Sequence, residues 1–133
     1  MRILVETNIL YSVIIRDSNF MAGIVNIIES EFSLVLTNTV IDEFSNRILS
    51  KNPESADRWN NFLENTFYEY FHVESLNLDG IKMRDDTDKP ILASAYAASC
   101  DILITGDKDF KDGDFDIEIL TPREFATKFG YIN

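Results

Sequence analysis

Four short runs of the chain are almost purely apolar. They are Ile3-Leu4-Val5, Leu34-Val35-Leu36, Ile102-Leu103-Ile104 and Ile117-Glu118-Ile119-Leu120. Because most of them lack alternating polar residues, these runs are typical of strands that are covered on both faces in a parallel sheet. A further short strand is predicted over Phe71-His72-Val73.

Apolar residues at helical spacing fill the intervals between these runs. The sets are Ile24, Ile27 and Ile28; Ile41, Phe44 and Ile48; Ala56, Trp59, Leu63 and Tyr70; and Ile91, Leu92, Ala95 and Ala98. A capping box with proline at the first helical position, Thr121-Pro122-Arg123-Glu124, predicts a last helix. The alternation predicts an α/β fold in three layers, α/β/α, with a central and mostly parallel sheet, in one domain spanning residues 1–133.

Acidic residues follow the predicted strands. Glu6 comes directly after the first apolar run, and Asp107 comes shortly after the third. Glu43 lies in the first turns of the helix after the second run, and Asp88 opens the helix that precedes the third. Ligands of open parallel sheets bind outside the carboxyl ends of the strands. We therefore expect these four carboxylates to converge at one edge of the sheet.

A divalent metal site follows from this expected cluster of acids. Ionised carboxylates in one crevice repel one another unless a cation compensates or some of them stay protonated. All the candidate ligands are oxygens, without a cluster of cysteine and histidine, which favours Mg²⁺ or Mn²⁺ over Zn²⁺. Such a cation can activate water and neutralise charge on a leaving phosphodiester oxygen, so the pattern indicates a nuclease.

Each acid also has an ordinary structural interpretation. Glu43 has Arg47 four residues later, the spacing of an exposed helical ion pair. Asp88 can cap a helix, which is compatible with metal binding. Asp107 and Asp109 can be turn residues beside a glycine.

Four segments of the chain resemble the motifs of the PIN-domain family. Arg2-Ile3-Leu4-Val5-Glu6-Thr7-Asn8-Ile9-Leu10 resembles its opening, an apolar strand that ends in Asp-Thr-Asn, and Val40-Ile41-Asp42-Glu43-Phe44 is similar to its glutamate-bearing helix. Arg84-Asp85-Asp86-Thr87-Asp88-Lys89-Pro90-Ile91-Leu92-Ala93 resembles its Arg-Asp-x-x-Asp-x-x-hydrophobic stretch. Asp101-Ile102-Leu103-Ile104-Thr105-Gly106-Asp107-Lys108-Asp109-Phe110 resembles its Thr-Gly-Asp-x-Asp/Asn segment. The resemblance covers essentially the whole chain.

The resemblance implies a Mg²⁺- or Mn²⁺-dependent endoribonuclease, the toxin of a VapC-like toxin–antitoxin pair. The catalytic acids and metal ligands it implies are Glu6, Glu43, Asp88 and Asp107, with Asp109 as a fifth candidate ligand. Asn8 and Thr105 would orient the carboxylates, with turn or capping roles as the alternative. RNA would be cut to 5′-phosphate and 3′-hydroxyl ends, and a basic antitoxin would bind the protein.

Position 6 departs from the family pattern, because glutamate stands where the family has aspartate. The extra methylene moves the carboxylate by up to about 1.5 Å, and a misplacement of about 1 Å can cost on the order of 10²-fold in rate. A second hypothesis therefore keeps the fold without the chemistry, as a catalytically degenerate binding module. A third, a receiver-type signalling domain, requires an aspartate at the end of a middle strand, and Leu34-Val35-Leu36-Thr37-Asn38 lacks one.

Net charge is the main objection to an RNA substrate. The chain has 23 acidic and 12 basic residues, for a formal charge of −11, and such a surface repels polyanions while it attracts basic partners. Basic residues flank the acidic segments and are candidates to hold phosphates: Arg84, Lys89, Lys108 and Lys111. The alternative for each is surface solubilisation.

The remaining residues bear on location and partners. A single cysteine, Cys100, forms no intrachain disulfide, and no apolar stretch approaches a membrane span, so we expect a cytoplasmic protein without membrane contact. His72 has no nearby triad pattern, and no catalytic role is expected for it. The aromatic residues between Trp59 and Phe71 exceed what one helix face needs, so part of them is expected to cover a homodimer, higher-oligomer or antitoxin interface.

Overall fold

A parallel sheet accounts for the apolar runs of the sequence. The structure is a computed structural model that describes residues 1–75, 89–106 and 116–132. In this part of the chain the strands are β1 Arg2–Val5, β2 Ser33–Thr37, β3 Glu69–Phe71, β4 Ile102–Ile104 and β5 Glu118–Leu120. All four pairings between them are parallel, in the order β3-β2-β1-β4-β5. The predicted, mostly parallel sheet is therefore confirmed and is wholly parallel among these strands.

The strand order reverses beside β1. The chain passes from β1 through β2 to β3 on one side, whereas β4 and β5 extend the sheet on the other. Val5 is in register with Ile104, so β1 and β4 end side by side. A reversal of this kind is the topological switch point of a parallel sheet, and ligands bind in the crevice outside the carboxyl ends of the strands there.

Helices cover both faces of this sheet. Those of the described residues are α1 Thr7–Ile14, α2 Asn19–Glu31, α3 Asn38–Lys51, α4 Ala56–Asn65, α5 Lys89–Ala97 and α6 Pro122–Lys128, with a short 3-10 turn at Pro53–Ser55. One group is formed by α2 and α6, where Phe32 packs edge-on against Phe125 and Phe129 at 5.5 and 5.1 Å between ring centroids. In the other group α3 contacts α1, α4 and α5. The three-layer α/β/α prediction is confirmed.

Packing in the second group is centred on Phe44 of α3. This side chain is fully buried, and its ring meets Trp59 of α4 edge-on with 4.7 Å between centroids. The indole Nε1 donates a 2.9 Å hydrogen bond to Ser45 Oγ, so the polar atom of the buried tryptophan is satisfied. Phe44 therefore fixes α3 to α4.

Two boundaries and one helix differ from the sequence predictions. The strand predicted over Phe71-His72-Val73 is β3, which ends at Phe71, and Tyr70 belongs to this strand rather than to α4. Helix α4 ends at Asn65 because Thr66 adopts an extended backbone. Helix α1 was not predicted, since it follows β1 without a loop and glutamate is not among the preferred N-cap residues.

The predicted surplus of aromatic residues is divided between core and surface. Trp59 is buried, whereas Phe67 is 83% exposed and Tyr70 is 49% exposed. What covers these two rings in an assembly stays a prediction. None of the helices in the described part combines the length and the apolar character that crossing a bilayer requires.

Candidate active site

Glu6 lies at the carboxyl end of β1, where the chain enters α1. Only 4% of it is exposed. Its Oε2 accepts a 3.0 Å hydrogen bond from the backbone N–H of Asn8 and so caps the helix, whose positive end favours a carboxylate. Its own N–H donates to the carbonyl oxygen of Ile104 at 3.1 Å, which fixes it beside β4. An ionised carboxylate has about four acceptor positions, so capping a helix and binding a metal are compatible.

Thr105 follows β4 at the same edge. The register of β1 and β4 places it next to Glu6, and it is fully buried. Its N–H donates to the carbonyl oxygen of Leu120 at 2.9 Å, which extends the pairing with β5. The next residue, Gly106, is exposed, so the chain reaches the surface here. The predicted ligands Asp107 and Asp109, and the basic Lys108 and Lys111, lie outside the described residues.

Two buried hydroxyl groups attach α5 to this edge. Thr37, the last residue of β2, donates from Oγ1 to Ser94 Oγ at 3.1 Å, and Ser94 Oγ donates to the carbonyl oxygen of Ile91 at 2.9 Å. Thr37 Oγ1 also accepts from the backbone N–H of Val40 and caps α3. Helix α5 begins at the half-buried Lys89, whereas Asp88 and Arg84 lie outside the described residues. The middle of α5 is thus held at the carboxyl end of β2.

Asn38 fixes the chain after β3 at the same edge. Its side-chain Nδ2 donates to the carbonyl oxygen of Val73 at 3.0 Å, and its Oδ1 accepts from the N–H of Val73 at 2.7 Å. These two hydrogen bonds join the chain after β3 to the residue that follows β2, in the way that a pair of backbone hydrogen bonds would join two strands. Sequence analysis missed Thr37, Asn38 and Ser94 as positioning residues; the available signal was a Thr-Asn pair directly after a buried apolar run.

Glu43 is exposed on the second turn of α3. Arg47 lies one turn later on the same stripe and donates from Nη1 to Asn8 Oδ1 at 3.3 Å. The stripe that carries Glu43 therefore faces the first turn of α1. Within the described residues Glu43 and Arg47 form no ion pair, so the ordinary interpretation of Glu43 is not supported.

The described residues bring Glu6, Asn8 and Thr105 together at the switch point. Asn8 contacts the Glu6 carboxylate through its backbone, while its side chain accepts from Arg47. Across residues 1–75, 89–106 and 116–132, no group of three histidine, cysteine, aspartate or glutamate side chains is placed to hold a metal ion. Since Asp88 and Asp107 lie outside these ranges, the convergence of four acids stays a prediction.

Cys100 and His72 are poor candidates for nucleophile or base. Cys100 is buried where the chain enters β4, at the opposite end of the strands, and burial raises the pKa of its thiol to about 11, so it stays protonated at neutral pH. His72 is exposed, and its Nδ1 shares a 3.2 Å hydrogen bond with the hydroxyl of Tyr70.

Comparisons with known proteins agree with the fold. Residues 2–109 match the family described as PIN domain. No curated protein matches the chain significantly. Among solved structures, the chain is similar to one in the crystal structure of VapBC2 from Rickettsia felis bound to a DNA fragment from their promoter, with 17% identity and a TM-score of 0.68. That match covers 90% of this chain and 97% of the other, and at this identity it concerns the fold.

Proposed function

Because this chain belongs to the PIN-domain family, we propose that it is a Mg²⁺- or Mn²⁺-dependent endoribonuclease that hydrolyses RNA phosphodiester bonds. One observation carries the proposal: the buried carboxylate of Glu6 lies beside Thr105 at the switch point of the sheet. A carboxylate removed from water at a ligand-binding edge is costly unless it is hydrogen-bonded or paired with a cation. The helix cap supplies one such partner, and the metal is proposed as another.

The side chains assigned to this edge fit a hard divalent cation. The proposed ligands Glu6, Glu43, Asp88, Asp107 and Asp109 all offer carboxylate oxygens, which Mg²⁺ and Mn²⁺ prefer. When bound, the cation would polarise the scissile phosphate and acidify a water molecule, so no side-chain nucleophile is required.

The other residues of this edge are proposed to position the metal ligands and the substrate, and none of them is proposed to take part in bond cleavage. Asn8 holds the carboxylate of Glu6 through its backbone N–H, and the Thr37–Ser94 hydrogen bond holds the middle of α5 beside β2. Lys89 begins α5 and, with Arg84 and Lys108, is proposed to hold substrate phosphates.

Cleavage of an end-labelled single-stranded RNA in Mg²⁺, in Mn²⁺ and in excess chelator tests the proposal. We expect cleavage with either metal, none in chelator, and none in Asp107→Asn. Cleavage that persists in chelator would contradict a metal-dependent mechanism. The variant Glu6→Asp is run alongside, because cleavage by this variant alone would show that the natural chain is the degenerate binding module instead.

We further propose that the enzyme is the toxin of a type II toxin–antitoxin pair. The similar VapBC2 structure is a complex bound to promoter DNA, and a chain with a formal charge of −11 complements a basic partner. A small basic reading frame is expected immediately upstream of the gene, and its product should co-purify with this chain. A basic product that fails to associate when the two are co-expressed would exclude it as the antitoxin.

A further inference from the structure

A cleft of about 490 Å³ opens between α1 and α3, next to the candidate active site. We call it the basic groove, and its lining residues are Asn8, Tyr11, Arg16, Arg47, Lys51 and Asn52. Three of the six carry a positive charge and none carries a negative charge. This composition is unexpected in a chain in which acidic residues outnumber basic ones by 23 to 12.

The cations of the basic groove have no carboxylate partner among the residues that the structure describes. In the described part of the chain, Arg2, Arg58 and Lys128 form ion pairs with Glu69, Asp17 and Glu118. Arg16, Arg47 and Lys51 form none within the same residues. Unpaired positive charges lining one concave surface attract anions and raise their local concentration.

Tyr11 holds two of these cations close to each other. The guanidinium carbon of Arg16 lies 5.3 Å from the centroid of the Tyr11 ring, and that of Arg47 lies 5.5 Å from it. Cation–π contacts of this kind orient a guanidinium without neutralising it. Both groups therefore keep their full charge for an anionic ligand, and a guanidinium can bind a phosphate with two parallel hydrogen bonds.

Asn8 connects the basic groove to Glu6. Its backbone N–H donates to the Glu6 carboxylate at 3.0 Å, and its side-chain oxygen accepts from Arg47 at 3.3 Å. A polymer whose scissile phosphate lies at Glu6 would therefore place neighbouring phosphates in the groove.

We propose that the basic groove binds the phosphodiester backbone of single-stranded RNA on one side of the scissile bond. Its volume lies within the range of about 300–1,000 Å³ that is usual for ligand sites. The arginines and the lysine would contact phosphates, and the asparagines would contact ribose hydroxyls. The choice of RNA rests on the proposed function. The groove also answers the charge objection, because binding depends on the local charge where the backbone lies.

Three matched variants test this groove. Arg16→Gln and Lys51→Gln each remove one exposed groove cation, and Arg123→Gln removes an exposed cation on α6 that forms no ion pair in the described part and lies over Phe20 instead. Binding of a fluorescent single-stranded RNA is followed by anisotropy in excess chelator, so that no cleavage occurs. We expect each groove variant to lose about three- to tenfold in affinity and its salt dependence to become shallower by about 0.7 in log–log slope. Arg123→Gln should change affinity less than twofold.

The outcomes separate this inference from the proposed function. Equal losses in all three variants would show that only overall charge matters and would overturn the groove. Displacement of the RNA by a poly-glutamate peptide of equal charge, at equal concentration, would identify an acidic protein segment as the occupant and would also overturn it. If RNA binding depends on the groove cations but no metal-dependent cleavage occurs, the groove is supported as an RNA-binding site and the proposed nuclease function is rejected. If metal-dependent cleavage occurs but RNA binding does not depend on the groove cations, the nuclease function is supported and the groove is rejected as the RNA-binding site.

Discussion

Glu6→Gln is expected to lower the rate of metal-dependent RNA cleavage by at least about 100-fold. The substitution keeps the length of the side chain and an oxygen that can accept from the N–H of Asn8, so the cap of α1 is retained. It removes the negative charge that Mg²⁺ or Mn²⁺ requires in its ligands. Single-turnover cleavage rates at saturating Mn²⁺ measure the effect, and thermal unfolding shows whether the fold is intact.

The control for this variant is Glu64→Gln, which makes the same change of charge at an exposed position on α4. It should cleave at the rate of the natural protein. If Glu6→Gln cleaves within about threefold of that rate, Glu6 is a helix cap and not part of the catalytic centre.

Phe44→Ala is expected to cause a large loss of stability. The ring is fully buried against Trp59, and removing a buried phenylalanine ring costs about 3–5 kcal/mol. That is a large share of the total free energy of unfolding, which is about 5–15 kcal/mol for most domains. Because Phe44 fixes α3, both the position of Glu43 and the basic groove depend on it. Urea unfolding followed by circular dichroism measures the change.

Leu49→Ala provides the comparison within the same helix. Leu49 is 70% exposed, so its truncation should change the free energy of unfolding by less than about 0.5 kcal/mol. Similar losses in the two variants would contradict the assignment of Phe44 to the core.

The layers of the fold follow from local sequence patterns. Runs such as Leu34-Val35-Leu36 are apolar without alternation, and in the structure they are strands buried on both faces. The capping box at Thr121 and Glu124 forms as expected, with both of its hydrogen bonds present. These features are predictable from the sequence because the spacing of apolar residues and the capping of helices both depend on residues that are only a few positions apart.

The contacts that build the candidate site depend on residues far apart in the chain. Thr37 and Ser94 are 57 positions apart, and Asn8 and Arg47 are 39 apart. No periodicity links such pairs, so the sequence predicted that Glu6 lies at the carboxyl edge of the sheet but not how α5 and α3 are held there. The basic groove was missed for the same reason, because Arg16 and Lys51 become neighbours only when α1 packs on α3.

Glu6 shows the limit of motif reasoning most clearly. The sequence marks it as a departure from the family pattern, and the extra methylene was expected to displace the carboxylate. In the structure the longer side chain folds back to cap its own helix while it stays buried at the switch point. Its carboxylate therefore has a defined position at this edge.

The central claim is that acids at this edge, Glu6 among them, hold a divalent cation. Titration with Mn²⁺, followed by electron paramagnetic resonance of the free ion, tests it on the natural protein, Glu6→Gln and Glu64→Gln. We expect one or two bound ions per chain, with an affinity at least about tenfold weaker in Glu6→Gln and unchanged in Glu64→Gln. Absence of binding to the natural protein, or equal binding by all three proteins, would contradict the claim.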